Sequence, residues 1–195
     1  MGKIIDTVEK TILDIKLEGH KINGTLEKNN IFTTFYPHQI DMGNEELEIY
    51  SFYQKYVGDW RARQELEKNH YKFLTASIIH KIGEVQYFHK GESLTSRKFI
   101  IFSGDCIGAI QFLHRNNKNI LNIFIRSSDA FNLLLSDYLF GCKLLDSVLE
   151  EFNINKNASD EVNFFTTSCH WYEKDEEKIN QLLNRKNKKL FNYKK

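Results

Sequence analysis

The chain has 195 residues, a formal net charge of +1 and hydrophobic residues at 41% of its positions. This composition is ordinary for a globular protein and excludes a fully disordered chain. The near-zero net charge excludes the broad basic surface on which nucleic-acid binding depends, so we expect no nucleic-acid partner. The length predicts a single domain over residues 1–195, large enough to bury a core without a disulfide or a metal.

The cysteines indicate a reducing compartment. Cys106, Cys142 and Cys169 are odd in number and lack the spacing of a disulfide framework or a zinc site. The chain also has no apolar run long enough to span a bilayer, and its first residues do not resemble a secretory signal. We therefore expect a cytoplasmic protein with no membrane association and no bound metal.

The N-terminal part predicts two helices separated by loops. Residues 3–18 carry apolar side chains at helical spacing and predict a helix that ends near Gly19. Residues 20–43 predict loops with one short strand, IFTTFY, at 31–36. A second helix is expected over residues 45–56, where apolar and aromatic side chains have a mixed period.

In the middle of the chain, the pattern of apolar and polar residues is weak at first and becomes clear after residue 95. Residues 57–90 have the weakest pattern, and their clearest feature is the strand-like run EVQYFH at 84–89. A short buried strand is expected over SRKFIIFSG at 96–104. Two apolar runs, 106–115 and 120–126, then flank a polar turn rich in Asn, which predicts a β-hairpin.

The last third predicts a long helix, a strand and a second helix. Residues 127–152 show helical spacing over about 20 residues, after a capping residue at one of the first three positions. A strand is expected over 162–172 and an amphipathic helix over 173–186. This order of elements predicts a mixed α/β or α+β domain, in which a sheet packs on helices that include the long one.

Side chains capable of chemistry concentrate in the second half of the chain. Cys106 opens a strand, and an Arg-Ser-Ser-Asp block at 126–129 joins the hairpin to the long helix. His170 and Tyr172 share one face of the last strand. Taken singly, these residues have structural explanations such as core packing or helix capping. Asp137 is harder to explain in this way, because a carboxylate inside an apolar helix is costly to bury unless it is paired.

The joint spacing of these residues resembles that of the thymidylate synthase and deoxycytidylate hydroxymethylase family. Gln111 follows Cys106 by 5 residues and Arg126 follows it by 20 residues, as in the family pattern. The run His170-Trp171-Tyr172 resembles the His-x-Tyr pair of a later family strand.

Two further segments carry the same resemblance. Ser-Arg-Lys at 96–98 is similar to a strand that reaches the phosphate of the neighbouring subunit, and QLLNRK at 181–186 is similar to a Gln-Leu-x-x-Arg segment. The resemblance covers residues 95–190, about half of the chain. It implies a nucleotide-binding and catalytic core at 91–190 that follows a divergent N-terminal part at 1–90.

The resemblance implies a thymidylate synthase-like fold and one-carbon transfer, as methylation or hydroxymethylation, to C5 of a pyrimidine deoxynucleoside monophosphate. By resemblance, the Cys106 thiolate adds to C6 and makes C5 nucleophilic, which is covalent catalysis. Arg126 would bind the 5′-phosphate bidentately, and Ser127 would donate to the same phosphate. Asp129 would orient the base.

The resemblance also implies roles for other residues and partners. Gln111 would support the substrate pocket, while His170 and Tyr172 would bind the 3′-hydroxyl of the sugar. Glu48 is the candidate for handling proton transfer. Family members are dimers, so we expect a homodimer in which Arg97 reaches the phosphate bound by the partner subunit. Methylenetetrahydrofolate is the implied cofactor.

Asp137 bears on the identity of the base. It stands eight residues after Asp129, where thymidylate synthases carry Asn and the cytidylate hydroxymethylases carry Asp. An ionised carboxylate only accepts hydrogen bonds, so it suits the 4-amino group of cytosine. A base-specific hydrogen bond in a buried pocket discriminates strongly, because the wrong base leaves a polar group unpaired. The sequence therefore favours dCMP over dUMP.

Three departures from the family pattern keep a second function open. Gly104-Asp105-Cys106-Ile107 replaces the Pro-Cys-His context, and no residue matches the Trp that contacts folate. The chain is also expected to lack the C-terminal segment that closes over folate. The alternative is a catalytically inactive nucleotide-binding homologue that acts as a partner subunit or sensor.

Overall fold

The computed structural model of the chain describes residues 3–58, 68–88 and 94–192. Within these ranges the chain forms helices and strands, and a π-helical turn at Tyr53–Val57 directly follows the second helix. In chain order the elements are α1 (Lys3–Glu18), β1 (His20–Ile22), β2 (Thr25–Phe35), α2 (Met42–Phe52), α3 (Asn69–Phe88), β3 (Ile100–Phe102), β4 (Ile107–Arg115), β5 (Lys118–Asp129), α4 (Leu134–Glu151), β6 (Glu161–Tyr172) and α5 (Glu176–Asn192).

The strands form one six-stranded sheet in the order β1-β2-β6-β5-β4-β3. Neighbouring strands are antiparallel except β5 and β6, which are parallel. A parallel pair needs a long crossover connection, and α4 provides it. The parallel register places Ser127 beside Ser168 and Asp129 beside His170, at one end of the sheet.

Among the described residues, helices cover one face of the sheet and none covers the other, which is called the open face. α1 packs on β2 and β6, α4 packs on β5 and β6, and α2 and α3 pack against α4. Leu121, Ile123 and Ile125 of β5 are buried beneath the helices, whereas Phe124 and Arg126 are exposed on the open face. The structure thus confirms an α+β protein whose mixed sheet packs on helices that include the long helix α4.

The long helix approaches the sheet most closely at Gly141. A Cβ atom at this position would stand 2.7 Å from Cδ1 of Ile123 and 2.9 Å from Cε1 of Phe164. The Phe164 ring is fully buried, and its centroid lies 5.9 Å from that of Phe35 and 4.7 Å from that of Tyr138. The absence of a side chain at Gly141 therefore allows α4 to lie against the sheet.

The buried apolar side chains form a core to which both halves of the chain contribute. Ile4 and Val8 of α1, Ile49 of α2 and Ile78 of α3 belong to the same cluster as the buried residues of the sheet and α4. The N-terminal part is therefore built into the core that also supports residues 94–192.

Two buried carboxylates connect distant parts of the chain. Both oxygens of Glu45 accept from the backbone N–H of Ile4 at 3.3 Å, and burial raises the pKa of this carboxyl above its usual value. Asp160 accepts from the backbone N–H groups of Asn119 and Asn157, each at 2.8 Å. These contacts attach α2 to the start of α1, and the loop before β6 to the hairpin.

Several neighbouring strands are irregular along one line across the sheet. The buried positions of β6 are even-numbered up to Thr166 and include Cys169 and Trp171 beyond it. In β2, Asn30 has a positive φ of 58° and directly precedes Ile31, which pairs with Thr166 of β6. In β4, the register shifts between Ile107 and Ala109. The buried positions of β6 therefore change from even to odd numbers between Thr166 and Cys169, so that Cys169 and Trp171 lie on the face that the helices cover.

Several elements are confirmed close to their predicted bounds. The first helix, the hairpin and the last strand occur where the sequence places them, whereas the last helix, predicted over 173–186, begins at Glu176 and continues to Asn192. The hairpin turn has Asn116 and Asn117 at positive φ, 49° and 59°, as a type I′ turn requires. The second helix begins slightly earlier than predicted, at Met42, because the Asp41 side chain accepts from the backbone N–H of Asn44 and caps it.

The predicted strand at 84–89 is wrong. Residues 84–88 form the last turn and a half of α3, and His89 lies outside the described residues. Ile78, Ile82 and Val85 are buried at intervals of four and three residues, which is the period of a helix.

Three other bounds differ from the predictions. The strand at 31–36 belongs to β2, which begins at Thr25 and pairs with the short strand β1. The strand at 96–104 is reduced to β3 at the sheet edge, where Phe102 is 78% exposed. The residues expected to cap the long helix belong to β5, and α4 begins only at Leu134.

Candidate functional site

Cys106 lies immediately before β4 and is paired with Arg126 of the neighbouring strand β5. The backbone N–H of Arg126 donates to the carbonyl of Cys106 at 2.8 Å, and the Thr167 hydroxyl of β6 donates to the carbonyl of Arg126. Cys106 is exposed and so is Arg126, whereas Cys142 and Cys169 are buried. Burial raises the thiol pKa of both buried cysteines well above the usual range. Cys106 is therefore the accessible thiol of the three.

The start of α3 lies close to the loop that carries Cys106. Burial lowers the pKa of His70 and the charge of Lys68 acts in the same direction, while the carboxylate of Asp105 opposes them. His70 is thus near enough to Asp105 for their charges to interact. The sequence does not predict this proximity, because His70 precedes Cys106 by 36 residues and carries no local motif.

Asp129 holds the turn between β5 and α4. Its Oδ1 accepts from the backbone N–H groups of Phe131 and Asn132, both at 3.0 Å, and its Oδ2 accepts from the side-chain amide of Asn132 at 2.8 Å. Burial raises the pKa of Asp129, and the bonds from Asn132 and Phe131 oppose this shift. The backbone N–H of Ala130 donates to the carbonyl of His170 at 2.7 Å. Asp129 thereby fixes the junction from which α4 begins.

Asp137 lies in the first turn of α4 and is 4% exposed. Its Oδ1 accepts from the hydroxyl of Tyr71 at 2.7 Å, and its Oδ2 accepts from the hydroxyl of Ser128 at 2.9 Å. Both donors come from other elements, α3 and β5. The carboxylate is therefore buried but paired, as a buried charge has to be.

His170 and Tyr172 end the last strand of the sheet. Their ring centroids lie 5.3 Å apart and the rings are perpendicular. Tyr172 is 39% exposed, and the ammonium of Lys174 stands 4.9 Å from its ring centroid. Because Cys169 and Trp171 are the buried residues here, His170 and Tyr172 alternate with them and face away from the helices.

Seven of the predicted site residues come together at one end of β4, β5 and β6. They are Cys106, Arg126, Ser127, Asp129, Asp137, His170 and Tyr172. Asp137 lies on the helix side of the sheet, whereas the thiol and the guanidinium are exposed. One end of the sheet thus carries an exposed thiol, an exposed guanidinium, a buried carboxylate and an imidazole–phenol pair.

Gln111 and Arg97 lie elsewhere. Gln111 stands on the open face in the middle of β4, and five residues of strand, about 16 Å, separate it from Cys106. Its side-chain amide donates to the Arg97 carbonyl at 3.3 Å, and its oxygen accepts from Asn122 at 3.4 Å. Asn163 donates to Asn122 at 3.1 Å. Gln111 therefore belongs to a row of amides that crosses the open face.

Glu48 lies on α2, where its carboxylate accepts from the side chain of Asn44 at 3.4 Å. α2 runs beside α4, with Glu46 paired to Lys143 and the Tyr53 hydroxyl 2.7 Å from that of Ser136. Glu48 lies between these two contacts along α2. The contacts described for Glu48 do not join it to Cys106.

The open face of the sheet carries an apolar cavity of about 280 Å³. Phe32 and Phe124, which line it, are 67% and 39% exposed. Around these rings the amides of Gln111, Asn122 and Asn163 supply the polar part of the lining.

Two classes of site find no support within the residues that the structure describes. No three His, Cys, Asp or Glu side chains in residues 3–58, 68–88 and 94–192 are grouped so that they could hold a metal ion. None of the helices in the same ranges is both long and apolar enough to cross a membrane.

Comparisons with known proteins do not assign the chain to a family. No model of a protein family matches it. A search of curated proteins also finds no match.

Proposed function

We propose that this protein transfers a one-carbon unit to C5 of a pyrimidine deoxynucleoside monophosphate, with dCMP preferred to dUMP, on a thymidylate synthase-like fold. The observation that carries the proposal is the backbone hydrogen bond from Arg126 to Cys106, which joins a residue with an exposed thiol to a residue with an exposed guanidinium. A thiol that attacks a nucleotide needs a cation close by to hold the phosphate of that nucleotide.

The chemistry assigned to these residues begins with the thiolate of Cys106. It adds to C6 of the base, and the electron pair of the C5–C6 double bond moves to C5, which becomes nucleophilic. Methylenetetrahydrofolate, when bound, would supply the one-carbon unit as a methylene group released from its nitrogen atoms, together with the hydride that a methyl product requires; for a hydroxymethyl product, water would add to the methylene carbon instead. Loss of the C5 proton and expulsion of the thiolate then restore the aromatic base and free Cys106.

The remaining residues bind and orient the nucleotide. We assign the 5′-phosphate to the guanidinium of Arg126 and the hydroxyl of Ser127. The 3′-hydroxyl is assigned to His170 and Tyr172, whose rings lie together at the end of β6. Asp129 holds the turn on which these groups depend, and Asp137 supplies the acceptor for the 4-amino group of cytosine.

The open sheet face supports a homodimer as part of the same proposal. Exposed rings, Phe32 and Phe124, are surrounded there by amides, so a second copy can cover apolar area and pair polar groups. Arg97 adjoins this face through the bond from Gln111 to its carbonyl. A partner packed on the face brings Arg97 towards the nucleotide bound by the other subunit. We place the reaction in the cytoplasm, where free cysteines persist.

The second candidate function is nucleotide binding without transfer. Asp105 precedes Cys106 where the family pattern has Pro, and Ile107 follows it where that pattern has His. Asp137 is also almost fully buried, which is typical of a structural carboxylate. In this function the protein is a partner subunit or sensor of a pyrimidine nucleotide.

Release of tritium from nucleotides labelled at C5 separates the two functions. Wild type and Cys106→Ala are each incubated with labelled dCMP or dUMP, with and without methylenetetrahydrofolate, while calorimetry measures nucleotide binding. The transferase releases tritium from dCMP faster than from dUMP, and Cys106→Ala abolishes release. Binding without release supports the second function, and the absence of both contradicts the assignment of the site.

A further inference from the structure

A cavity of about 170 Å³ lies between the start of α3 and the side of α4 that faces it. The residues that line it recur at intervals of three or four along each helix, so each helix contributes one face. They include Lys68, Tyr71 and Lys72 on one side, and Phe140, Lys143 and Leu144 on the other. None of the seven residues gathered at the end of the sheet lines this space, which we name the α3–α4 cavity.

The inner wall of the α3–α4 cavity is apolar and closely packed. Tyr71 and Phe140 are each 7% exposed, and their rings stack with centroids 4.4 Å apart and planes inclined by 10°. Leu144 beside them is buried. Because these side chains are held by their neighbours, they present a preformed apolar surface. A compact apolar group that contacts this surface is removed from water, which favours binding.

The remaining wall of the cavity is positively charged. Three lysines line it, and its described lining contains no Asp or Glu. The ammonium of Lys68 stands over the Tyr71 ring, 5.7 Å from the ring centroid. Lys72 is exposed and has no ion-pair partner within the described part of the chain. Lys143 pairs with Glu46 at 2.7 Å, but both side chains are 45% exposed, so this ion pair is weak.

The two lysines at the start of α3 lie where positive charge is unfavourable. Lys68 directly precedes the helix and Lys72 lies in its first turn, the end at which the helix dipole disfavours cations. They are also four positions apart, a spacing at which like charges repel. An anion bound between them offsets both effects, and lysine is a common ligand of phosphate groups.

The volume of the cavity limits the size of its ligand. Cavities that hold drug-sized molecules measure about 300–1,000 Å³, so this one accepts a smaller compound. A phosphate monoester carries a charge close to −2 at neutral pH and therefore matches several lysines.

We propose that the α3–α4 cavity binds a small phosphate monoester, whose phosphate group is held by Lys68, Lys72 and Lys143 and whose apolar part rests on Phe140 and Leu144. This site lies outside the residues assigned to the pyrimidine nucleotide. The proposal therefore does not depend on one-carbon transfer.

Titration of the full chain with phenyl phosphate, followed by two-dimensional NMR, measures both the affinity and the place of binding. We expect the shifted signals to concentrate in residues 68–75 and 136–147. Inorganic phosphate, which lacks the apolar part, should bind about tenfold more weakly, as for loss of one or two buried CH₂ groups. Lys72→Gln and Lys143→Gln should each weaken phenyl phosphate binding by about twofold to fivefold, the effect of one exposed ion pair. Ser147→Leu, which fills part of the cavity and keeps every lysine, should also weaken it.

Two control variants separate this site from general attraction and from the candidate functional site. Lys10→Gln removes the same charge from an exposed position of α1 outside the cavity and should keep the wild-type dissociation constant. Arg126→Gln should also keep it. Equal weakening by Lys10→Gln, equally tight binding of inorganic phosphate, or no binding to wild type overturns the inference. Loss of binding in Arg126→Gln places the probe at the candidate functional site, which overturns this inference and leaves the proposed function standing. Circular dichroism shows that each variant is folded.

Discussion

Gly141→Ala tests how tightly the long helix is packed on the sheet. In an exposed helix, replacement of glycine by alanine stabilises the folded protein by about 1 kcal/mol. At Gly141, however, the added methyl group would stand 2.7 Å from Ile123 and 2.9 Å from Phe164, closer than carbon atoms can approach. Overpacking of this kind costs about 1–3 kcal/mol. The Phe164 ring cannot move aside, because Phe35 and Tyr138 enclose it.

The two effects leave a net loss of about 1 kcal/mol in the free energy of unfolding, since the cost of overpacking exceeds the gain in helix propensity. In a protein of this size such a loss lowers Tm by about 2–4 °C. Urea denaturation followed by circular dichroism measures it directly. Gly83→Ala is the matched control, because no atom lies within 4 Å of a Cβ at that position of α3. It should gain stability by up to about 1 kcal/mol, and a Gly141→Ala protein as stable as this control would refute the packing argument.

Other predictions concern thiol access and the two buried carboxylates. A thiol reagent should label only Cys106 rapidly in the folded protein, and rapid labelling of a second thiol would contradict the burial of the other two. Asp160→Asn replaces one acceptor with a donor that faces the N–H of Asn119, so urea denaturation should show a loss of about 2–3 kcal/mol. Burial raises the pKa of Glu45, so its ionisation opposes folding as pH rises through that pKa. Glu45→Gln should therefore gain stability relative to wild type as pH rises above the ordinary glutamate pKa of about 4.3, and a difference in stability that does not change with pH would contradict the raised pKa.

Parts of the fold follow from local sequence. The hairpin follows from two apolar runs around Asn116 and Asn117, because asparagine tolerates the positive φ of a type I′ turn. The helix α3 shows the limit of this reasoning. Val85 and Tyr87 favour a strand locally, but the buried residues Ile78, Ile82 and Val85 continue a helical period that begins upstream. The helical period over the whole of α3, and not the strand-forming residues at its end, determines the structure of residues 84–88.

The candidate site depends still more on the tertiary fold. The spacing of Cys106 and Arg126 on two strands of a hairpin is enough to predict that they meet. No local pattern pairs Tyr71 with Asp137, since the contact forms only when α3 packs against α4. The position of Gln111 likewise follows from the alternation of β4, which directs its side chain to the open face. Contacts between elements distant in sequence are thus what the motif alone does not predict.

The proposed function depends most directly on the addition of the Cys106 thiol to C6 of the cytosine ring. A 5-fluoro derivative of dCMP tests it most directly, because fluorine at C5 cannot leave as a proton and the adduct persists. The protein is incubated with this nucleotide and methylenetetrahydrofolate, and its mass is measured before and after peptide digestion. We expect an added mass equal to that of nucleotide plus donor on the peptide that contains Cys106, and no added mass in the Cys106→Ala variant. An unchanged mass, or an adduct on Cys142 or Cys169, would contradict it.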